Sequence, residues 1–171
     1  MAVSILTISG AALLTSAITT IESGSLMSKT TVAEGIAEQL ADEIGLIGFP
    51  RGVNVPPVSG TERALFDHVD DFADYDRMPP VDPFNRVLGT EEVSGVLPRH
   101  AALQPMPGYL DSFRQTVSVE RILPNSNGFD VTAVDTDYRR VTVTVSYREA
   151  NGNEMPLAKR TRILSRVGFT P

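Results

Sequence analysis

The sequence predicts an α+β fold in which a long N-terminal helix packs on a C-terminal antiparallel β-sheet. Three observations lead to this prediction. The residues after Met1 carry no charge for twenty positions, the next stretch places apolar residues at helical spacing, and the last third alternates valine with threonine. A period of 3.6 residues indicates a helix with one apolar face, and a period of two indicates a strand with one buried face. The length of 171 residues suits one ordinary domain.

The uncharged stretch from Ala2 to Ile21 is long enough to cross a bilayer as a helix, because twenty helical residues span about 30 Å. Seven serine and threonine residues make it only moderately apolar, although their hydroxyls can bond to carbonyls of the same helix. No basic residue precedes it, which disfavours a secretory signal peptide. We predict that residues 1–24 form a transmembrane half-helix. The side chains expected to carry this role are Ile5, Leu6, Ile8, Leu13, Leu14, Ile18 and Ile21.

Residues 25–48 are predicted to continue the helix as an amphipathic half. Apolar side chains recur there at four-residue steps, at Val32, Ile36, Leu40 and Ile44. Alanines flank these positions, and acidic residues lie mostly on the other side, so one apolar stripe is expected to face a core. An interruption near Gly24 is conceivable. The helix is expected to end between Gly45 and Gly48.

Residues 49–110 contain most of the prolines and repeated glycines, so we predict a long irregular segment with short turns. Its acidic side chains offer oxygen ligands for a structural Ca²⁺ ion, and the candidates are Asp67, Asp70, Asp71, Asp74 and Asp76. The spacing is not that of an EF-hand loop. The alternative is a solvated loop kept soluble by its charge, without any cofactor. The two imidazoles of the chain, His68 and His100, are also expected to be solvated, although His68 could ligate a metal or bond to a carboxylate.

Residues 111–171 are predicted to form the antiparallel sheet. The clearest alternation in the chain places on one face Val141, Val143, Val145 and Tyr147. The segment Phe113–Ile122 also alternates, and Asn151-Gly152 suits a hairpin turn from which Leu157–Val167 can return as a partner strand. The apolar face of such a sheet has to be buried against another element, and the amphipathic half-helix is the element expected to pack on it.

The composition restricts the function. A net charge of -6 argues against a nucleic-acid partner, since a binder needs a basic face. The absence of cysteine excludes disulfides, thiolate metal sites and cysteine nucleophiles. No nucleophile elbow, phosphate-binding loop, dinucleotide fingerprint or H-E-x-x-H motif occurs, so we expect that the chain is not an enzyme.

The layout resembles the type IV pilin superfamily, which includes the pilins and the pseudopilins of type II secretion. The resemblance covers most of the chain in architecture and is carried by the helix "ISGAALLTSAITTIESGSLMSKTTVAEGIAEQLADEI" and the strand entry "DTDYRRVTVTVSYRE". It implies a pilin-like fold and a structural minor pilin or pseudopilin whose partners are other pilins or pseudopilins and the inner membrane. In such a subunit, residues 1–24 would also be the filament-core half of the helix. It also implies a single-pass location in a bacterial inner membrane, with the headgroup in the periplasm or outside the cell in a filament.

The family's basic leader and its Gly-Phe-x-x-x-Glu start are not present in this sequence, and we expect the corresponding residues to lie upstream of Met1. Two other functions are open: a membrane-anchored extracytoplasmic binding module that is not part of a filament, and a soluble protein that buries its apolar helix. Complementary charge could set the register between neighbouring subunits, with acids between Asp67 and Asp82 facing a basic set on the sheet. That basic set is Arg139, Arg140, Lys159, Arg160, Arg162 and Arg166.

Overall fold

The computed structural model describes residues 2–49, 63–89 and 105–166, with helix side chains described from Ser16 onward. The chain divides into two units, Met1–Val32 and Ala33–Pro171. Helix α1 spans Ala2–Leu46, and two 3₁₀ helices span Arg63–Leu65 and Val69–Phe72. Five strands follow: β1 Asp76–Arg77, β2 Phe113–Asn125, β3 Gly128–Val131, β4 Tyr138–Arg148 and β5 Glu154–Ser165. One N-terminal helix with a five-stranded antiparallel sheet confirms the predicted α+β class.

In the first unit, α1 runs through Ser23-Gly24-Ser25 without a break. Its hydroxyls bond to carbonyls of the same helix: Thr20 Oγ1 donates to Ser16 O at 2.8 Å, and Thr31 Oγ1 donates to Met27 O at 3.0 Å. Polar side chains that satisfy themselves in this way do not break a helix.

The predicted single-pass location in a bacterial inner membrane is wrong on the evidence of the described residues. Among them, no helix combines the length and the apolar character that crossing a membrane requires. From Ser16 onward, several hydroxyl groups and the charges of Glu22 and Lys29 lower the apolar character of the helix.

In the second unit, one face of α1 is buried, and its positions follow a helical period: Ala33, Ile36, Ala37, Leu40, Ala41 and Ile44. These residues are the predicted apolar stripe with its flanking alanines. The helix ends at Leu46, within the expected range. Because small and large side chains alternate along this face, the helix can pack closely on the valine-rich face of the sheet.

The strand order in the sheet is β1-β2-β4-β5, with β3 paired to β2. The buried face of β4 consists of Arg139, Val141, Val143 and Val145, which confirms the predicted alternation. After Val145 the register with β5 shifts, so that Ser146 is buried and Tyr147 is half-buried. The predicted hairpin joins β4 to β5, and Gly152 adopts the positive φ of 88° that such a turn favours.

The middle of the chain is less irregular than predicted. Residues 63–89 contain both 3₁₀ helices and β1, and β1 adds an antiparallel strand to β2. The aromatic side chains of Phe66 and Phe72 are buried and pack edge to face, with ring centroids 4.8 Å apart. Tyr75 is buried beside them. This part of the acidic segment therefore contributes to a core, which a solvated loop would not do.

Candidate functional site

Helix α1 is fastened to the edge strand β5 by a set of ion pairs that we call the helix–strand clamp. It consists of Glu34, Glu38 and Asp42 on the helix and Arg160 and Arg162 on the strand. Both arginines donate to Glu38 at 2.8 Å, which lowers the pKa of its carboxyl. The distance between successive acids on the helix matches the distance between the two arginines on the strand, because four helical residues rise about 6 Å and two strand residues rise about 6.6 Å. Two arginines of the predicted basic patch thus form ion pairs with acids of the same chain.

Arg139 is a buried cation with only 1% of its surface exposed. Its Nε donates to Asp70 Oδ1 at 2.6 Å, and its Nη2 donates to Asp135 Oδ1 at 2.7 Å. Its guanidinium also donates to the carbonyls of Thr136 and Tyr138. Asp70, a predicted calcium ligand, is therefore engaged as a counter-ion of Arg139.

Asp76, another predicted calcium ligand, also pairs with an arginine. Its carboxylate accepts from Arg114 Nε at 2.7 Å, and Arg114 donates in addition to Glu154. These hydrogen bonds hold the pKa of Asp76 below its usual range. Arg114 and Asp76 line an open polar cleft together with Arg77, Met78, Asp111 and Arg148.

A third group in the acidic segment contains an imidazole. Asp67, His68 and Asp71 place one potential ligand atom each within 4.8 Å of one another. His68 Nε2 lies 3.3 Å from Asp71 Oδ1 and 3.9 Å from Asp67 Oδ1. His68 and Asp71 are buried, whereas the side chain of Asp67 is 82% exposed. The prediction that His68 is solvated is therefore wrong, while His100 lies outside the described residues.

The five predicted calcium ligands do not form one site. Asp70 and Asp76 bind different arginines, Asp67 and Asp71 flank His68, and Asp74 is exposed with a positive φ of 62°. The signal that would have separated them is a period of three in the apolar residues, namely Phe66, Val69, Phe72 and Tyr75. A 3₁₀ helix has three residues per turn, so this spacing buries one side of the segment.

The predicted assembly residues lie in the first unit. The side chains of five of them are outside the described residues: Ile5, Leu6, Ile8, Leu13 and Leu14. Ile18 and Ile21 are described and are exposed, Ile21 by 72%. Leu26 and Met27 are exposed in the same stretch, Met27 by 74%. All side chains from Ser16 to Val32 are exposed or half-exposed, and of these the prediction had assigned Ile18 and Ile21 to assembly.

Comparisons of the chain with protein-family models, with curated proteins and with solved structures found no match.

Proposed function

We propose that this protein is a structural subunit of a filament, of the minor pilin or pseudopilin kind, in which residues 2–32 of α1 pack against the same residues of neighbouring copies. The observation that carries the proposal is that Ile18, Ile21, Leu26 and Met27 are apolar and exposed, in a helix that continues into a folded unit. Apolar side chains gathered on one element favour contact with another apolar surface over contact with water.

The charge of this stretch favours a second copy as its partner. Between Ala2 and Val32 the sequence contains two charged residues, Glu22 and Lys29, which are of opposite sign. Identical helices can therefore lie side by side without bringing a row of like charges together. A surface meant to face water permanently would be expected to carry more charge.

The hydroxyl groups of the helix do not oppose such packing. Thr19 and Thr20 each donate to Ser16 O, so their polar hydrogens are already bonded within the helix. Burying them against another helix then costs less than burying an unbonded hydroxyl.

Gly24 also fits a packed helix. A glycine in a helix interior costs about 1 kcal/mol relative to alanine. Beyond the adjacent backbone of its own helix, a Cβ at Gly24 would meet no atom of the described residues within 4 Å, so contacts within this part of the chain give no reason for glycine there. A neighbouring helix that approaches closely would supply that reason, as in other contacts between small residues.

Site-directed cross-linking of the full chain tests the proposal, because the native sequence has no cysteine. Cysteine at Ile21 should cross-link to the same position of a neighbour under mild oxidation, whereas cysteine at Asn151, in the exposed β4–β5 turn, should not. The I21D variant should reduce assembly measured by sedimentation and electron microscopy. As a control, L46D changes another exposed apolar residue of α1, in the second unit, and should leave assembly intact.

The proposal fails if the wild-type chain stays monomeric over a wide range of concentration. It also fails if Ile21 and Asn151 cross-link equally, since random collision treats both positions alike.

A further inference from the structure

We propose that Asp67, His68 and Asp71 bind a divalent transition-metal ion of the Zn²⁺ class. The observation that points to a ligand is His68, whose side chain is 4% exposed and whose ring nitrogens both lack a hydrogen-bond partner among the described residues. Buried polar atoms in proteins are nearly always bonded, so an imidazole in this position calls for an explanation. Its Nε2 faces both neighbouring carboxylates.

The distances suit ligands of one ion better than a direct hydrogen bond. His68 Nε2 lies 3.3 Å from Asp71 Oδ1, yet the two atoms are not aligned for hydrogen bonding. In a tetrahedral site with bonds of about 2.0–2.2 Å, donor atoms lie roughly 3.3–3.6 Å apart, and each points at the ion instead of at its neighbour. The remaining distance, 3.9 Å to Asp67 Oδ1, can close because the side chain of Asp67 is on the surface.

Asp71 is oriented by the backbone. Its Oδ2 accepts hydrogen bonds from the amides of Asp67 at 3.0 Å and His68 at 3.1 Å. These two bonds turn Oδ1 towards the imidazole. A carboxylate held in this way resembles the hydrogen-bonded ligands that surround metals in other proteins.

The position of His68 is also set by the end of α1. The amide of the next residue, Val69, donates to Gly48 O at 3.0 Å, and Gly48 forms a β-bridge with His68. The main chain on both sides of the imidazole is thus anchored, so the site is built on ordered backbone. Such anchoring keeps ligand geometry within the narrow range that metal binding needs.

The donor set selects the class of ion. Calcium takes six to eight oxygen ligands, whereas one imidazole and two carboxylates match zinc and its first-row neighbours. Three protein ligands leave one position for water, and this position would open on the side of the exposed Asp67. The proposed site is smaller than the predicted calcium site and differs from it in chemistry: it uses Asp67 and Asp71 but neither Asp70 nor Asp76.

Calorimetric titration of the full chain with Zn²⁺, and the visible absorption of bound Co²⁺, test the proposal. We expect one ion per chain and an intense Co²⁺ band typical of tetrahedral coordination. H68Q should abolish binding. Because that residue is buried and its variant could fail to fold, D67N provides the second test; it changes an exposed side chain and should weaken Zn²⁺ binding about tenfold or more.

Matched controls exist for both variants. D74N removes an exposed carboxylate from the same segment, and asparagine tolerates the positive φ found there. H100Q removes the other imidazole of the chain. Both should bind Zn²⁺ like the wild type. The proposal is overturned if neither Zn²⁺ nor Co²⁺ binds the wild-type chain, if folded D67N binds Zn²⁺ with unchanged affinity, or if H100Q abolishes binding.

Discussion

Glu38 on α1 accepts a hydrogen bond at 2.8 Å from Arg160 on β5, a residue 122 positions further along the chain. The same carboxylate accepts a second bond from Arg162. The two arginines alternate with outward-facing residues on an edge strand, so the strand period of two turns both towards the helix. This contact joins the predicted helix to the predicted sheet at the edge of the fold.

The clamp should contribute to stability through charge. E38Q keeps the size of the side chain but removes the carboxylate that both arginines bind, so we expect a small decrease in the unfolding temperature. Because the pairs are exposed, the decrease should shrink as salt is added. Thermal unfolding at low and high salt measures this effect. E22Q changes an exposed acid in the first unit of the same helix and should unfold like the wild type; equal effects of the two variants would exclude a specific role for the clamp.

Substitution of the buried Arg139 should lower the free energy of unfolding much more than substitution of its neighbour Arg140. R139M leaves Asp70 and Asp135 without their shared cation, and we expect a loss of about 3 kcal/mol or more in the free energy of unfolding. R140M changes the same residue type on the opposite face of β4, where Arg140 is half-exposed and pairs with Glu120. Its expected cost is below about 1 kcal/mol. Urea titration of both variants measures the difference, and similar midpoints would contradict the assigned role of Arg139.

Acid should destabilise the protein through its paired carboxylates. Hydrogen bonds from arginines lower the pKa of Asp76, Asp135 and Glu154. Carboxyls with a lowered folded-state pKa stabilise the fold above their unfolded pKa near 4, and that stabilisation is lost as the pH falls through the folded-state values. Burial raises the pKa of Glu43, which acts in the opposite direction. The pKa values of Glu38 and Asp82 are lowered as well, so five carboxyls against one predict a net loss of stability below about pH 4.

Urea unfolding between pH 7 and pH 3 measures this loss. R114Q removes the main partner of Asp76 and one partner of Glu154, so it should flatten the acid dependence. K159Q, which removes an exposed cation from β5, should leave the dependence unchanged. An R114Q profile parallel to that of the wild type would show that these pairs do not govern the acid response.

Local features of the fold could be predicted because they depend on the period of neighbouring residues alone. The buried stripe of α1 from Ala33 to Ile44 follows the helical repeat, and the valines of β4 follow the strand repeat. The hairpin turn at Gly152 was predictable from residue type. Strand β1 was not predicted, because two residues are too few to show a period. The same limit applied to β3, which has four residues.

The sites depended on tertiary structure. The sequence by itself determined a long helix, an alternating sheet and an acidic segment between them, since each follows from composition or spacing over adjacent residues. Only the tertiary structure decided which acid contacts which cation. Asp70 binds Arg139, which lies 69 positions further along the chain. Asp67, His68 and Asp71 lie together at a 3₁₀ turn whose backbone is hydrogen-bonded to Gly48. The physical reason is that Asp70 and Arg139 are distant in sequence and pair because the packed backbone brings them together, whereas the group around His68 is local in sequence and is held in place by the distant contact with Gly48.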